Sequence, residues 1–153
     1  GPLAIVDARG VHRKYATPSR FSILLPIRAT SYSRHGAELA IELARASRSE
    51  IEALFVSEER GRRWTPRASF GGGLEDVALK DVVALAESHG IVVRTSVQRG
   101  RDPAAAILDV ARRSRHDLIV LGVSRRLGDQ LFFGETAAAV VAAVPCSVLL
   151  VAS

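Results

Sequence analysis

The sequence predicts an α/β fold, a three-layer sandwich with a parallel sheet between helices, and three observations point to it. Short apolar runs alternate with helical patterns in the order βαβαβαβαβ. The runs are apolar along their whole length, as expected of strands buried on both faces. Glycine, proline or an N-capping residue marks most junctions. That order demands right-handed crossovers and helices on both faces of the sheet.

The first strand is Phe21 to Ile27 (FSILLPI), with Pro26 near its carboxyl end. A loop over residues 28–33 leads to a helix whose apolar stripe comprises Ala37, Ala40, Ile41 and Ala44, widened by Leu39 and Leu43. Ser31 or Ser33 is its expected N-cap. Ile51 to Val56 is the second strand. The polar stretch 58–73 that follows is long enough to cover a site or to be a simple insertion. Leu74, Val77, Ala78, Val82 and Leu85 share the next helical face, which stops at His89-Gly90 with Gly90 suited to a left-handed cap. Ile91 to Val97 is the third strand. Asp102-Pro103 is an N-cap followed by proline at the first helical position, and Ala104, Ile107, Leu108 and Ala111 form the buried stripe. Arg112, Arg113 and Arg115 close that helix, where cations complement the dipole. Leu118 to Leu121 is the fourth strand, and a final Ala/Val-rich helix is stopped by Pro145 before the strand Cys146 to Val151. Residues 1–20 have no sustained periodicity and read as a linker or arm, which leaves 21–153 as the folded domain.

Composition narrows the function classes. At 153 residues the chain suits one domain with a real core. No apolar run approaches the roughly 20 residues of a membrane span, and no secretory signal is visible. A lone cysteine, Cys146, excludes an internal disulfide and reads as a buried structural thiol in a reducing, cytoplasmic compartment. The formal charge of +5 comes almost wholly from arginine, with Lys14 and Lys80 as the two lysines. These arginines are scattered through loops and helix ends and match no nucleic-acid module, so nucleic acid is not the expected partner. The chain contains no Met and starts Gly-Pro, which reads as a fragment or a tag-cleaved chain.

Catalytic signatures are missing. His12, His35, His89 and His116 lie far apart without metal-ligand spacing and read as surface or capping residues. Glu38, Glu42, Glu50 and Glu52 fit solvated faces of a helix and a strand. There is no nucleophile elbow, and the Gly128 to Gly134 interval is followed by Glu135, not Lys-Ser/Thr. Ser124 and Thr136 have no base to activate them, so no enzymatic activity is expected beyond slow incidental ATP hydrolysis.

The informative stretch is Asp117 to Ser153. A strand ends on Gly122, a loop rich in Arg and Gly runs to Gly134, and a helix begins. Such a turn can hold an anion on backbone N–H groups and a helix dipole. In an open parallel sheet this loop meets the one after the first strand, beyond the carboxyl ends of the strands.

ILLPIRAT and HDLIVLGVSRR…GETAAAVVAAVPCSVLLV resemble the opening and closing segments of the universal stress protein family, and the resemblance covers about residues 21–152. It implies a five-stranded parallel sheet of order 3-2-1-4-5, a homodimer through the last strand, and a nucleotide site of the form G-x2-G-x9-G-[S/T]. The resemblance thereby assigns binding to Pro26, Ile27, Arg28, Thr30, Val56, Gly122, Ser124, Arg125, Arg126, Gly134, Glu135 and Thr136. ATP, AMP and cyclic di-AMP are the ligands to expect, with magnesium only alongside a nucleotide. The chain departs from the pattern. Arg125 replaces the second glycine, the interval to Gly134 is one residue short, Glu135 replaces the Ser/Thr, and Arg28 replaces a common acidic residue. A carboxylate about 4 Å from a phosphate costs roughly 4 kcal/mol at an effective dielectric near 20. Glu135 therefore opposes a triphosphate unless arginines offset it, and the alternative is a dimerisation module with the site closed. GVSRRLGDQLFFGETAAAV is also similar to the branch fused to membrane transporters such as cation/proton antiporters, which implies a regulatory domain on the cytoplasmic face of a transporter.

Overall fold

The computed structural model describes residues 3–7, 21–28, 31–58, 74–125, 131–132 and 134–152. Its elements in chain order are β1 (Leu3–Asp7), β2 (Ser22–Ile27), α1 (Ser31–Ser47), β3 (Glu50–Glu58), α2 (Leu74–Ser88), β4 (Val93–Gly100), α3 (Pro103–Arg113), β5 (Leu118–Arg125), β6 (Leu131–Phe132), α4 (Gly134–Ala143) and β7 (Ser147–Ala152). The main sheet runs β1-β7-β5-β2-β3-β4. Its five parallel strands have the order 3-2-1-4-5 when counted from β2, as the resemblance implied.

Side chains alternate across the sheet, and both faces are covered. Ile23, Leu25, Ile27, Val120, Leu149 and Val151 pack with Ala37, Ile41, Ala44 and Val82 of α1 and α2. Leu24, Ile119, Leu121, Val148 and Leu150 pack with Ile107, Leu108 and Ala111 of α3 and Val140 of α4. The period of two thus divides one apolar run between two cores. Asp102 caps α3 as its spacing predicts, its Oδ1 accepting the Ala105 N–H at 3.2 Å. Arg112 donates to the Ala143 carbonyl oxygen at 3.3 Å, so it holds the end of α4 rather than only completing its own helix. Gly90 does take a left-handed φ of 71° after α2. Cys146 is buried, and burial followed by the Asp117 charge pushes its thiol up to about 11.

The structure corrects the sequence at several points. Leu3–Asp7, placed in the arm, form a strand antiparallel to β7, from Leu3↔Ala152 to Asp7↔Val148. Five residues without flanking turn signals give no periodicity to read, yet a β-prone run can still find an open edge. Leu131–Phe132, inside the expected loop, fold back as β6 onto Ser124–Arg125. Ser31 and Ser33 both lie inside α1, which Ser31 opens, so neither precedes the helix as its cap. Arg115 lies beyond α3, past the Ser114 cap, with φ 52°. The polar stretch 59–73 lies outside the described residues.

The larger correction concerns His116 and Glu52. His116 is 4% exposed, not a surface residue, and the Glu52 side chain is 13% exposed, not solvated. His116 Nε2 lies 3.0 Å from Glu52 Oε2, and Nδ1 lies 2.8 Å from Ser22 Oγ. A carboxylate only accepts, so Nε2 donates to Glu52 and Nδ1 of the neutral ring accepts the Ser22 hydroxyl proton. Ser96 Oγ donates to Glu52 Oε1 at 2.7 Å, and Asp117 Oδ2 accepts the Ser22 N–H at 2.9 Å. This network joins the amino ends of β2 and β5 to β3 and β4. No one segment of sequence contains it.

Burial lowers the His116 pKa from 6.5, and Glu52 offsets part of that shift. The unfolded chain therefore binds the proton more readily. The stability His116 contributes is complete above about pH 6.5 and declines as pH falls through the folded value. The midpoint of urea unfolding should drop more between pH 7.5 and 5 in the wild type than in His116→Gln. Glu52→Ala should cost about 1–3 kcal/mol at neutral pH by leaving the buried Nε2–H without an acceptor.

Candidate functional site

The site follows from where the central ladder stops. β2 pairs with β5 only at Ile23↔Leu118 and Leu24↔Ile119. On its other side β2 stays paired with β3 as far as Ile27↔Phe55, and β5 stays with β7 as far as Val123↔Ala152. Each central strand follows its outer neighbour, so β2 and β5 part toward their carboxyl ends. Pro26 has no N–H to extend the ladder there. This is also where the strand order reverses, the usual position of a ligand crevice in an open α/β sheet.

A cleft opens at that point. It is lined by Pro26, Ile27, Arg28, Val56, Pro103, Ile107, Leu121 and Gly122, with about 400 Å³ of empty space including the part open to solvent. The walls are apolar side chains and backbone, and among the described residues Arg28 is the one charged residue that lines them. The amino end of α3 supplies Pro103 and Ile107, and α1 supports the floor from below. Gly36 of α1 is buried, and a methyl group there would meet the Gly122 nitrogen at 3.4 Å and its Cα at 3.6 Å. The absence of a side chain at Gly36 lets the helix lie close against β5.

Arg28 leaves the end of β2 and its Nη2 donates to Thr136 Oγ1 at 3.1 Å. That bond brings a guanidinium to the first turn of α4, whose amino end carries partial positive charge. Gly134 opens this helix with φ 65°, a left-handed conformation that glycine adopts without a Cβ penalty. Glu135 is exposed beside it and does not line the cleft. An anion at this point would meet the Arg28 fork and the amino end of α4 together.

Of the residues singled out from the sequence, Pro26, Ile27, Arg28, Val56 and Gly122 surround one cleft, and Arg28 reaches Thr136. Gly134 and Glu135 share the first turn of α4 with Thr136. The backbones of Ser124 and Arg125 end β5, paired with Phe132 and Leu131. Thr30 and Arg126 lie outside the described residues. Pro103, Ile107, Leu121 and Gly36 were not anticipated as site residues. Ile107 was read only as helix stripe, although the helix after each strand of a parallel sheet must bring its own residues near the crevice. A glycine inside the α1 pattern was the visible sign of close packing.

Among the described residues, no histidine, cysteine or carboxylate lines the cleft, and no group of three His, Cys, Asp or Glu could hold a metal ion.

The sequence profile of the universal stress protein family matches residues 20–152. The chain belongs to that family. Among its relatives, a universal stress protein of Methanocaldococcus jannaschii is 27% identical over 137 residues, 84% of this chain and 80% of the other. A solved universal stress protein of Archaeoglobus fulgidus superposes with a TM-score of 0.71 at 17% identity, covering 87% of this chain and 98% of that one. A universal stress protein family member of Arabidopsis thaliana with AMP bound gives 0.60 at 18% identity, over 86% and 91% of the two chains. Other solved universal stress proteins are complexes with dAMP and cAMP. At these identities the structural likeness establishes the fold.

The Gly36 contact yields a prediction. Gly36→Ala should fold normally, with stability within about 1 kcal/mol of the wild type, since it gains helix propensity against a contact at ordinary distance. Gly36→Leu should lose roughly 1–3 kcal/mol by pushing α1 away from β5. Thermal unfolding measures the first effect, and displacement of the Gly122 amide resonance measures the second.

Proposed function

We propose that this universal stress protein domain binds an adenine nucleotide, with AMP the simplest form, in the cleft between β2 and β5 and acts by binding rather than turnover. The observation that carries this reading is the composition of the cleft. Apolar walls suited to a base or ribose face stand beside a single guanidinium, which Thr136 holds at the amino end of α4. A planar apolar body with an anionic tail matches that pairing of surfaces. Solved relatives that hold AMP, dAMP and cAMP support the same ligand class. In this reading magnesium accompanies ATP and has no site of its own.

A second reading is a module that dimerises without nucleotide, and it is favoured by Glu135. That carboxylate stands on the first turn of α4 beside Thr136, where a phosphate would come. Attachment to a membrane transporter, with the domain on the cytoplasmic side, is a proposal carried by the resemblance of Gly122–Val140. Among the described residues no helix is long and apolar enough to cross a membrane.

Titration calorimetry with AMP, ATP and cyclic di-AMP, each with and without magnesium, separates the readings. Micromolar binding of at least one nucleotide is expected. Arg28→Ala should weaken it by about tenfold or more through loss of a charge-assisted contact. Glu135→Ser should strengthen ATP binding more than AMP binding, because the triphosphate brings more negative charge to α4. No heat from any nucleotide with either the wild type or Glu135→Ser would leave the dimerisation module standing.

A further inference from the structure

β4 ends the main sheet. It pairs with β3 from Ile51↔Val93 to Glu58↔Gly100, and among the described residues no strand lies on its other side. Such an edge presents a row of backbone N–H and C=O groups to any extended chain. Geometric guards are missing here, since the register with β3 is unbroken and Val93–Gly100 contains no proline. An edge of this length runs roughly 25 Å.

What guards this edge is charge. Residues 91–101 include Arg94, Arg99 and Arg101, all exposed, and no carboxylate. Ser96 Oγ donates to Glu52, whereas Val93 packs into the core beneath α1 and α2. By alternation, Arg94, Ser96 and Gln98 take one face of the strand, and Thr95, Val97 and Arg99 take the other. Each face of the edge thus carries one arginine. Apolar surface lies beside them. Val97 is 42% exposed and Val92, just before the strand, is 88% exposed. These are two of the three large hydrophobic residues exposed among the described ones.

Edge charges of one sign act as a filter. A second copy would bring the same arginines to the junction, and like charges across a strand pair are destabilising. A strand of opposite sign meets no such penalty. We propose that the outer edge of β4 is a docking strand for an acidic, extended segment of a partner protein, which adds to the sheet beside it. Its backbone pairs with β4, its carboxylates meet Arg94 and Arg99 on opposite faces, and a β-branched side chain between them covers Val97. β3 separates this edge from the cleft between β2 and β5, so docking here does not depend on nucleotide binding.

A fluorescein-labelled, end-capped peptide of sequence EVTVTE, whose glutamates match the spacing of Arg94 and Arg99, tests this against the full chain. Its anisotropy should saturate with a dissociation constant below about 1 mM. KVTVTK reverses the charge, and EVPPTE removes a ladder donor from each edge of the peptide. Each should bind about tenfold more weakly or worse. In hydrogen exchange with EVTVTE bound, alternate amides of residues 93–100 should slow by about tenfold, the pattern of one added strand. Arg99→Glu should weaken EVTVTE by about tenfold and strengthen KVTVTK. Arg94 is left in place because it lies 3.9 Å from Glu52. Should Arg99→Glu fail to fold, Arg99→Gln removes the charge alone and carries the same loss of EVTVTE binding. The proposal is overturned if EVTVTE does not saturate below about 1 mM. It is equally overturned if KVTVTK or EVPPTE binds as well, if the folded Arg99 variant binds EVTVTE unchanged, or if protection appears away from β4. Protection of β4 that grows with protein concentration in the absence of peptide would give the edge to a second copy and overturn it too.

Discussion

The fold depends on the short ladder between β2 and β5. These central strands share only the pairs at Ile23 and Leu24, and each is held more extensively by its other neighbour. Joining them at the amino end fixes the sheet, and leaving them apart at the carboxyl end creates the cleft. A ladder continued to Ile27 would close the space that Pro26, Val56, Ile107 and Leu121 line. The same constraint therefore supplies cohesion at one end of the molecule and a site at the other.

The two ends are chemically distinct for that reason. At the closed end, strands converge tightly enough to bury polar groups, and burial is tolerated because the groups satisfy one another. Glu52 accepts from His116 and Ser96, while Ser22 joins both His116 and Asp117. Among the described residues no buried side-chain nitrogen or oxygen is left without a partner. Such a network adds little net energy when complete and costs much when one member is removed. At the open end the polar groups sit at the rim, where Arg28 donates to Thr136 on the first turn of α4. The buried titratable group thus lies in the closed end, and the exposed Arg28 lines the cleft at the open one.

Much of this was legible in the sequence, because the parts that were read rest on local pattern. Fully apolar runs separated by helix signals specify a parallel sheet, and Pro26 near the end of β2 and Gly122 within β5 mark the place where it opens. The grouping of Pro26, Ile27, Arg28, Val56 and Gly122 comes from the resemblance to the family rather than from local pattern. What escaped depends on partners distant in sequence. His116 looks like a solvated helix-end residue until β3 brings Glu52 beside it, 64 positions away. β1 looks like an arm until β7 is found to need a neighbour. Pro103 and Ile107 look like an ordinary helix start, and only the crossover after β4 turns them toward Val56. Gly36 is a visible sign of close packing inside the α1 pattern, but which backbone it packs against is known only from the fold.

The most direct measurement of the central claim is a two-dimensional amide nuclear magnetic resonance titration of the domain with AMP. If the parting of β2 and β5 makes the binding site, the amides of Val56, Ile107, Gly122 and Thr136 should shift together along one saturating isotherm. The amides of Glu52 and His116, at the closed end, should stay in place. Shifts centred on the closed end would contradict the account, as would a saturated titration that leaves Gly122 unmoved.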